Sequence, residues 1–84
     1  MIAMKCGDIE NMKMKRIWYY TELSKIINEN INLMRFCNRK NNGHVKYHYY
    51  IASNDLIENY FDNGCISCDA YEYFRRRVCI GYWL

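Results

Sequence analysis

Helix-forming character is strongest in residues 21–43, whose sequence is TELSKIINENINLMRFCNRKNNG. Apolar residues recur there every three or four positions, which is the spacing of one face of an α-helix. Cations fall in the last turns, where they suit the negative end of the helix dipole. The Asn-Asn-Gly run at residues 41–43 tolerates the left-handed conformation that ends many helices. We therefore predict a long amphipathic helix over residues 21–40, and its buried stripe consists of Leu23, Ile26, Ile27, Ile31, Met34 and Cys37.

The segments on either side of this helix favour β-structure. Residues 15–20 (KRIWYY) are β-branched and aromatic, which is typical of a short strand. Residues 44–51 (HVKYHYYI) alternate between two faces, as a half-buried strand does. Residues 79–84 are a candidate for a last strand.

Two short helices are expected after Ser53. Asp55 and Asp69 each precede a glutamate by three residues, which resembles an acidic capping box. Asn63-Gly64 is the expected break between the two helices. The predicted fold class is therefore α+β. We expect a small single domain over residues 1–84, with residues 1–13 loosely ordered.

Composition limits the class of protein. A chain of 84 residues has room for one domain, and its 17% aromatic content favours a folded state. No apolar run is long enough to cross a membrane, and the first residues lack the apolar stretch of a signal peptide. Five cysteines cannot all pair within one chain, which favours free thiols in a reducing compartment. We expect a cytoplasmic protein without a membrane partner.

Recognition of another protein is the function that the composition favours. Asn, Ile, Tyr and Lys supply 35 of the 84 residues, which suggests A/T-rich coding DNA and a viral or phage origin. No catalytic motif or glycine-rich phosphate loop is present, so we expect no enzyme. The 14 aromatic residues exceed what so small a core can hold, and exposed Tyr and Trp are typical of binding hot spots. We predict a non-catalytic accessory protein that binds and modulates a host protein, in an oligomeric state that stays open. Its expected partner-binding residues are Tyr50, Tyr73, Tyr82, Trp83, Asp62 and Asp69.

A small nucleic-acid-binding module is the alternative. Basic clusters with aromatic neighbours can combine phosphate contact with base stacking. Cys65 and Cys68 have the two-residue spacing of a zinc ligand pair, but zinc needs a second pair. His44 and His48 would lie about 13 Å apart on a strand, too far to share an ion, whereas on a helix they would converge. We expect no cofactor, with zinc possible only under this alternative. The candidate nucleic-acid contacts are Arg35, Arg39, Lys40, Arg75, Arg76 and Arg77.

Overall fold

The protein is a three-helix bundle. The computed structural model describes the backbone of residues 6–84 and the side chains from Met14 onward. Helix α1 spans Cys6–Arg39, α2 spans Gly43–Asp62 and α3 spans Cys68–Trp83. The loose order predicted for residues 1–13 stays a prediction. Residues 1–5 lie outside the part of the chain that the structure describes, and only the backbone of residues 6–13 is described.

The helices run up, down and up, so α1 and α3 are parallel and α2 is antiparallel to both. Tyr60, near the end of α2, packs on Tyr19 of α1 with ring centroids 5.9 Å apart. Tyr82, at the end of α3, packs on Tyr50 near the start of α2 at 4.4 Å. The molecule measures 55 × 18 × 16 Å, and its long dimension matches the roughly 51 Å that 34 helical residues span.

Both turns between helices have the same hydrogen-bonded geometry. Asn41 has a φ of 53°, and the amide of Asn42 donates to the carbonyl of Cys37 at 2.9 Å. Gly64 has a φ of 72°, and the amide of Cys65 donates to the carbonyl of Tyr60 at 2.9 Å. A left-handed residue followed by this longer hydrogen bond is the Schellman motif. The expected ends of both helices are thus confirmed, although Asn41 takes the left-handed position and Gly43 is the first residue of α2.

The core is a single apolar layer shared by all three helices. On α1 it contains the predicted stripe, apart from Ile26, which is only half-buried. Gly81 of α3 lets the helices approach closely, because a Cβ at that position would lie 3.1 Å from Cγ1 of Ile31. The buried apolar residues are Leu23, Ile27, Ile31, Met34, Cys37, Ile57, Ile66, Phe74 and Val78.

The α+β prediction is wrong, because residues 6–84 contain no strand. Residues 15–20 belong to α1, residues 44–51 to α2, and residues 79–83 to α3. The aromatic residues that favoured strands locally are instead held by packing between helices, as Tyr20 is by Phe74, at 5.0 Å between ring centroids. Strand preference is weak and depends on the surroundings, so burial against a neighbouring helix outweighs it.

Helix α2 is longer than predicted because Ser53 does not start a helix. Its hydroxyl is fully buried in the middle of α2 and donates to the carbonyl of Tyr49 at 2.7 Å. The same hydroxyl accepts from Nδ2 of Asn30 on α1 at 2.9 Å. Ser53 therefore joins two helices, and Asp55 lies within α2 rather than at its beginning.

Candidate binding surface in the basic half of the bundle

Folding separates the charges of this chain along the bundle. Residues 30–54 and 73–84 carry seven Lys or Arg and no Asp or Glu, and we call them the basic half. Residues 14–29 and 55–72 carry seven acids and three bases, a formal charge of −4, and form the acidic half. The end of α1, the start of α2 and the end of α3 meet because α2 is antiparallel to its neighbours. The chain is therefore far more polarised than its net charge of +3 indicates.

Aromatic side chains cluster on the basic half. Tyr82 is at the centre, 4.4 Å from Tyr50 and 5.1 Å from Trp83 between ring centroids. The ammonium of Lys46 lies 4.6 Å from the Tyr82 centroid, within the range of a cation–π interaction. Tyr47 packs at the edge of this cluster, 6.4 Å from Tyr82. We call the four rings of Tyr47, Tyr50, Tyr82 and Trp83 the aromatic cluster, and its Trp83 is 75% exposed.

A groove runs beside the aromatic cluster, between the α1–α2 turn and the end of α3. Its volume is about 380 Å³. It is lined by asparagine residues of the turn and by rings at the end of α3. Amide groups can both donate and accept hydrogen bonds, so the groove offers polar recognition beside an apolar contact surface. Its walls include Asn38, Asn41, Asn42, Lys46, Tyr82 and Trp83.

The arginine triplet does not form one patch. Consecutive residues of a helix point about 100° apart, so the three guanidinium groups face different sides of α3. Arg75 turns to α2, where Nη1 donates to Oε1 of Glu58 at 3.0 Å. Arg77 turns to α1 and donates to Oδ1 of Asn28. Arg76 is exposed beside Cys79. By contrast, Arg35, Arg39 and Lys40 are all exposed at the end of α1, on the basic half.

The hydroxyl of Tyr71 completes a small network around Arg75. It donates to Glu58 and accepts from Nη1 of Arg75 at 2.7 Å. The hydrogen bond that Arg75 donates to the hydroxyl of Tyr71 is the main reason that the pKa of Arg75 is raised, so this guanidinium stays charged. On the other side of α2, burial raises the pKa of Tyr60 and keeps its hydroxyl neutral. Glu58, Tyr71 and Arg75 connect α2 to α3, and the pairing of Arg75 with Glu58 offsets part of the positive charge of the triplet.

The six predicted partner-binding residues occupy three separate places. Tyr50, Tyr82 and Trp83 meet in the aromatic cluster. Tyr73 stacks on Tyr20 of α1 at 6.4 Å, about 15 Å along α3 from Trp83 by helix rise. Asp62 and Asp69 flank the α2–α3 turn in the acidic half, with Asp62 about 18 Å along α2 from Tyr50. The structure therefore separates the two predicted acids from the aromatic cluster.

The four cysteines whose side chains the structure describes do not all lie together. Cys65 is in the α2–α3 turn and Cys68 is the first residue of α3. Cys79 lies about 16 Å further along α3, and Cys37 is buried at the opposite end of α1. Cys37 and Cys79 are therefore too far from Cys65 and Cys68 to supply the second ligand pair that the zinc prediction requires. Among the residues described, no group of three or more His, Cys, Asp or Glu side chains is placed to hold a metal ion.

Sequence reasoning missed Lys46, which was assigned to a strand. It also missed the amide side chains that line the groove, Asn38, Asn41 and Asn42. One signal was available, since no acid occurs anywhere in residues 30–54. Its meaning depends on the tertiary fold, which brings the acid-free end of α3 beside this segment.

Comparisons with known proteins found no match: no family model, curated protein or solved structure matches the chain. Over the described residues, none of the three helices combines the length and apolar character that crossing a bilayer requires.

Proposed function

We propose that this chain is a non-catalytic binding module that recognises an acidic surface of another protein through its basic half. The observation that carries the proposal is the meeting of an exposed, cation-flanked aromatic cluster with the acid-free ends of all three helices. Tyr, Trp and Arg are the residues most enriched in binding hot spots. Surrounding positive charge favours encounter with an acidic partner and disfavours a basic one. Modulation of a host protein in the cytoplasm stays a prediction from composition.

The arrangement of the rings favours a protein over a nucleic acid. Single-stranded nucleic acids bind to separate aromatic faces placed along a continuous basic groove. Here Tyr50 and Tyr82 pack against each other and Lys46 lies over the ring of Tyr82, so part of the ring surface that could stack on bases is already in use. Arg75 and Arg77 donate hydrogen bonds to side chains of the same protein, so fewer cations are available to contact successive phosphates. What remains is one prominent indole, Trp83, next to a polar groove, and this suits insertion into a pocket on a partner surface.

Two exposed tryptophans allow a matched test of this surface. Trp83 lies in the basic half, while Trp18 is 58% exposed in the acidic half. The partner is first captured from a nuclease-treated lysate of the cell that expresses the protein, and is then purified for affinity measurements. We expect Trp83→Ala to weaken binding about 30-fold, as loss of a hot-spot side chain does, and Trp18→Ala to leave the affinity within about twofold. The reverse order would contradict the assignment of the surface.

Charge reversal provides a second, independent test. We expect Arg39→Glu to slow association with the captured partner, because it places a negative charge in the acid-free half. Asp62→Lys and Asp69→Lys should leave the association rate unchanged or raise it. If the aspartate variants are the ones that lose binding, the partner surface is basic and the recognition face is the acidic half.

Single-stranded nucleic acid is the second candidate, favoured by the proximity of Lys46 to an aromatic cluster. The measurement is a salt titration of binding to a 20-nucleotide single-stranded DNA. If the four basic residues Arg35, Arg39, Lys40 and Lys46 neutralised one phosphate each, affinity would fall about 50-fold between 50 and 200 mM salt. Sub-micromolar binding with that slope would replace the protein-binding proposal, and weak binding would support it.

A further inference from the structure

The two histidines of this chain meet on the first turns of α2. Positions 44 and 48 are four residues apart and lie on one face of the helix. The Nε2 atoms of His44 and His48 are 3.3 Å apart, and both side chains are exposed. The strand predicted over residues 44–51 had placed these rings too far apart to share an ion, and the helix removes that objection.

The distance between the two nitrogens suits a tetrahedral zinc ion. Zinc–nitrogen bonds of about 2.05 Å at a tetrahedral angle place two ligating nitrogens roughly 3.3 Å apart. A direct hydrogen bond between the rings also accounts for this distance in the metal-free protein, with one nitrogen donating and the other accepting. Exchange of the shared proton for a metal ion therefore needs little movement of either side chain.

Both imidazoles are exposed, so an ion can reach them from solvent. Lys46 lies between the histidines in sequence, but its ammonium contacts the ring of Tyr82, so this cation is held by the aromatic cluster. The positive end of the α2 dipole weakens binding of a cation in this turn. Two protein ligands also hold zinc less tightly than the three or four of catalytic and structural sites.

We propose that His44 and His48 form a two-ligand zinc site on the surface of α2, with the remaining coordination positions open to water or to a side chain of another molecule. This site is independent of the protein-binding proposal, which rests on the rings of the aromatic cluster and the groove beside them. It also differs from the predicted Cys65/Cys68 site, which lies at the other end of α2.

The test compares the wild type with two variants in which one histidine and Ala52 are exchanged, so all three proteins have the same composition. Ala52 is suitable because it is exposed and lies four residues beyond His48. In His48→Ala/Ala52→His the two histidines are eight residues apart, about 12 Å along the helix, and cannot share an ion. In His44→Ala/Ala52→His they are again four residues apart. All three proteins keep the five cysteines, so zinc that binds to thiols affects them equally.

The readout is nuclear magnetic resonance of the histidine rings during addition of zinc chloride. Each protein has two histidines and therefore two Cε1–H ring signals, one from each imidazole. In the wild type and in His44→Ala/Ala52→His we expect both signals to shift along one saturation curve. In His48→Ala/Ala52→His the zinc concentration at half-saturation should rise about 100-fold, because the second bond is no longer made within the same chelate. Circular dichroism checks that all three proteins remain helical.

Two results would overturn the proposal. One is a wild-type titration in which the two ring signals shift at different zinc concentrations, or do not shift. The other is equal zinc affinity for the wild type and His48→Ala/Ala52→His. The wild-type titration alone decides the first point, so the proposal stays testable even if a variant fails to fold.

Discussion

The buried core of the bundle and the surface of its basic half use large apolar residues in opposite ways. In the core, Leu23, Ile27 and Phe74 are fully buried, and each packs among residues of other helices. On the surface of the basic half, Tyr47 is 51% exposed and Trp83 is 75% exposed. Both regions are helical and both are rich in apolar surface. They differ in whether the fold itself covers that surface.

This difference separates stability from recognition. A side chain that the fold buries contributes the free energy of its transfer from water, and its loss leaves a cavity. A side chain that the fold leaves exposed makes little contribution to stability, and its burial can contribute to binding instead. Substitutions in the core should therefore change the free energy of unfolding, while substitutions of the exposed rings of the aromatic cluster, Tyr47 and Trp83, should change affinity.

The largest expected effect is that of Ile27→Asp. It places an uncompensated carboxylate in the apolar layer, which costs about 3–5 kcal/mol and is comparable with the whole stability of a small domain. Urea denaturation measures the change in the free energy of unfolding. Asn32→Asp on the exposed face of α1 is the matched control and should change this quantity by less than about 0.5 kcal/mol. Equal stability of the two variants would contradict the assignment of the buried face.

A smaller loss is expected from Gly81→Leu, in the part of the core that lies within the basic half. The added side chain must displace Ile31 and Met34, since a Cβ alone already lies 3.1 Å from Cγ1 of Ile31. Such overpacking costs about 1–3 kcal/mol. Thermal unfolding compares this variant with Ile80→Leu, one residue away and exposed. If Gly81→Leu is as stable as Ile80→Leu, the close approach of α3 to α1 is not present in solution.

The polar contact within the core has a smaller effect again. Ser53→Ala removes the acceptor for Nδ2 of Asn30, and we expect a loss of about 1 kcal/mol. The double variant Asn30→Ala/Ser53→Ala completes a thermodynamic cycle in which helix propensity cancels. Additive effects of the two substitutions on the free energy of unfolding would show that the side chains do not interact.

The smallest effect on stability is expected for Trp83→Ala, although its effect on binding should be large. Substitutions at exposed positions usually change the free energy of unfolding by less than about 0.5 kcal/mol, and Trp18→Ala should behave in the same way. Urea denaturation of the two variants provides the comparison. A loss of several kcal/mol for Trp83→Ala would mean that this side chain belongs to the core. The contrast between the core and the exposed surface would then fail.

The parts of the fold predicted correctly are those that depend on neighbouring residues. Leu23, Ile27 and Met34 repeat with the helical period, and all three are buried. The turns at residues 41–43 and 63–64 contain residues that adopt positive φ readily, and both helices end there. These features follow from the helical period and from backbone sterics. Both can be read from a short stretch of neighbouring residues.

The parts that failed depend on contacts between distant residues. The aromatic residues at 15–20 and 44–51 have strand preferences, but those preferences span only about 1 kcal/mol between residue types. Tyr19 packs on Tyr60, and Tyr50 packs on Tyr82, each pair more than thirty residues apart in sequence. Burial of these rings between helices outweighs the local preference, and no window of neighbouring residues contains that information.

The candidate surface divides in the same way. The sequence alone showed an excess of aromatic residues and basic clusters near Arg35 and Arg75, and it determined which residue types were available for recognition. Only the tertiary structure decided which of them meet. The antiparallel path of α2 brings the acid-free ends of three helices together, while the helical twist turns Arg75 and Arg77 to opposite neighbours. Composition is a property of the chain, but a binding surface depends on distances between residues that only packing sets.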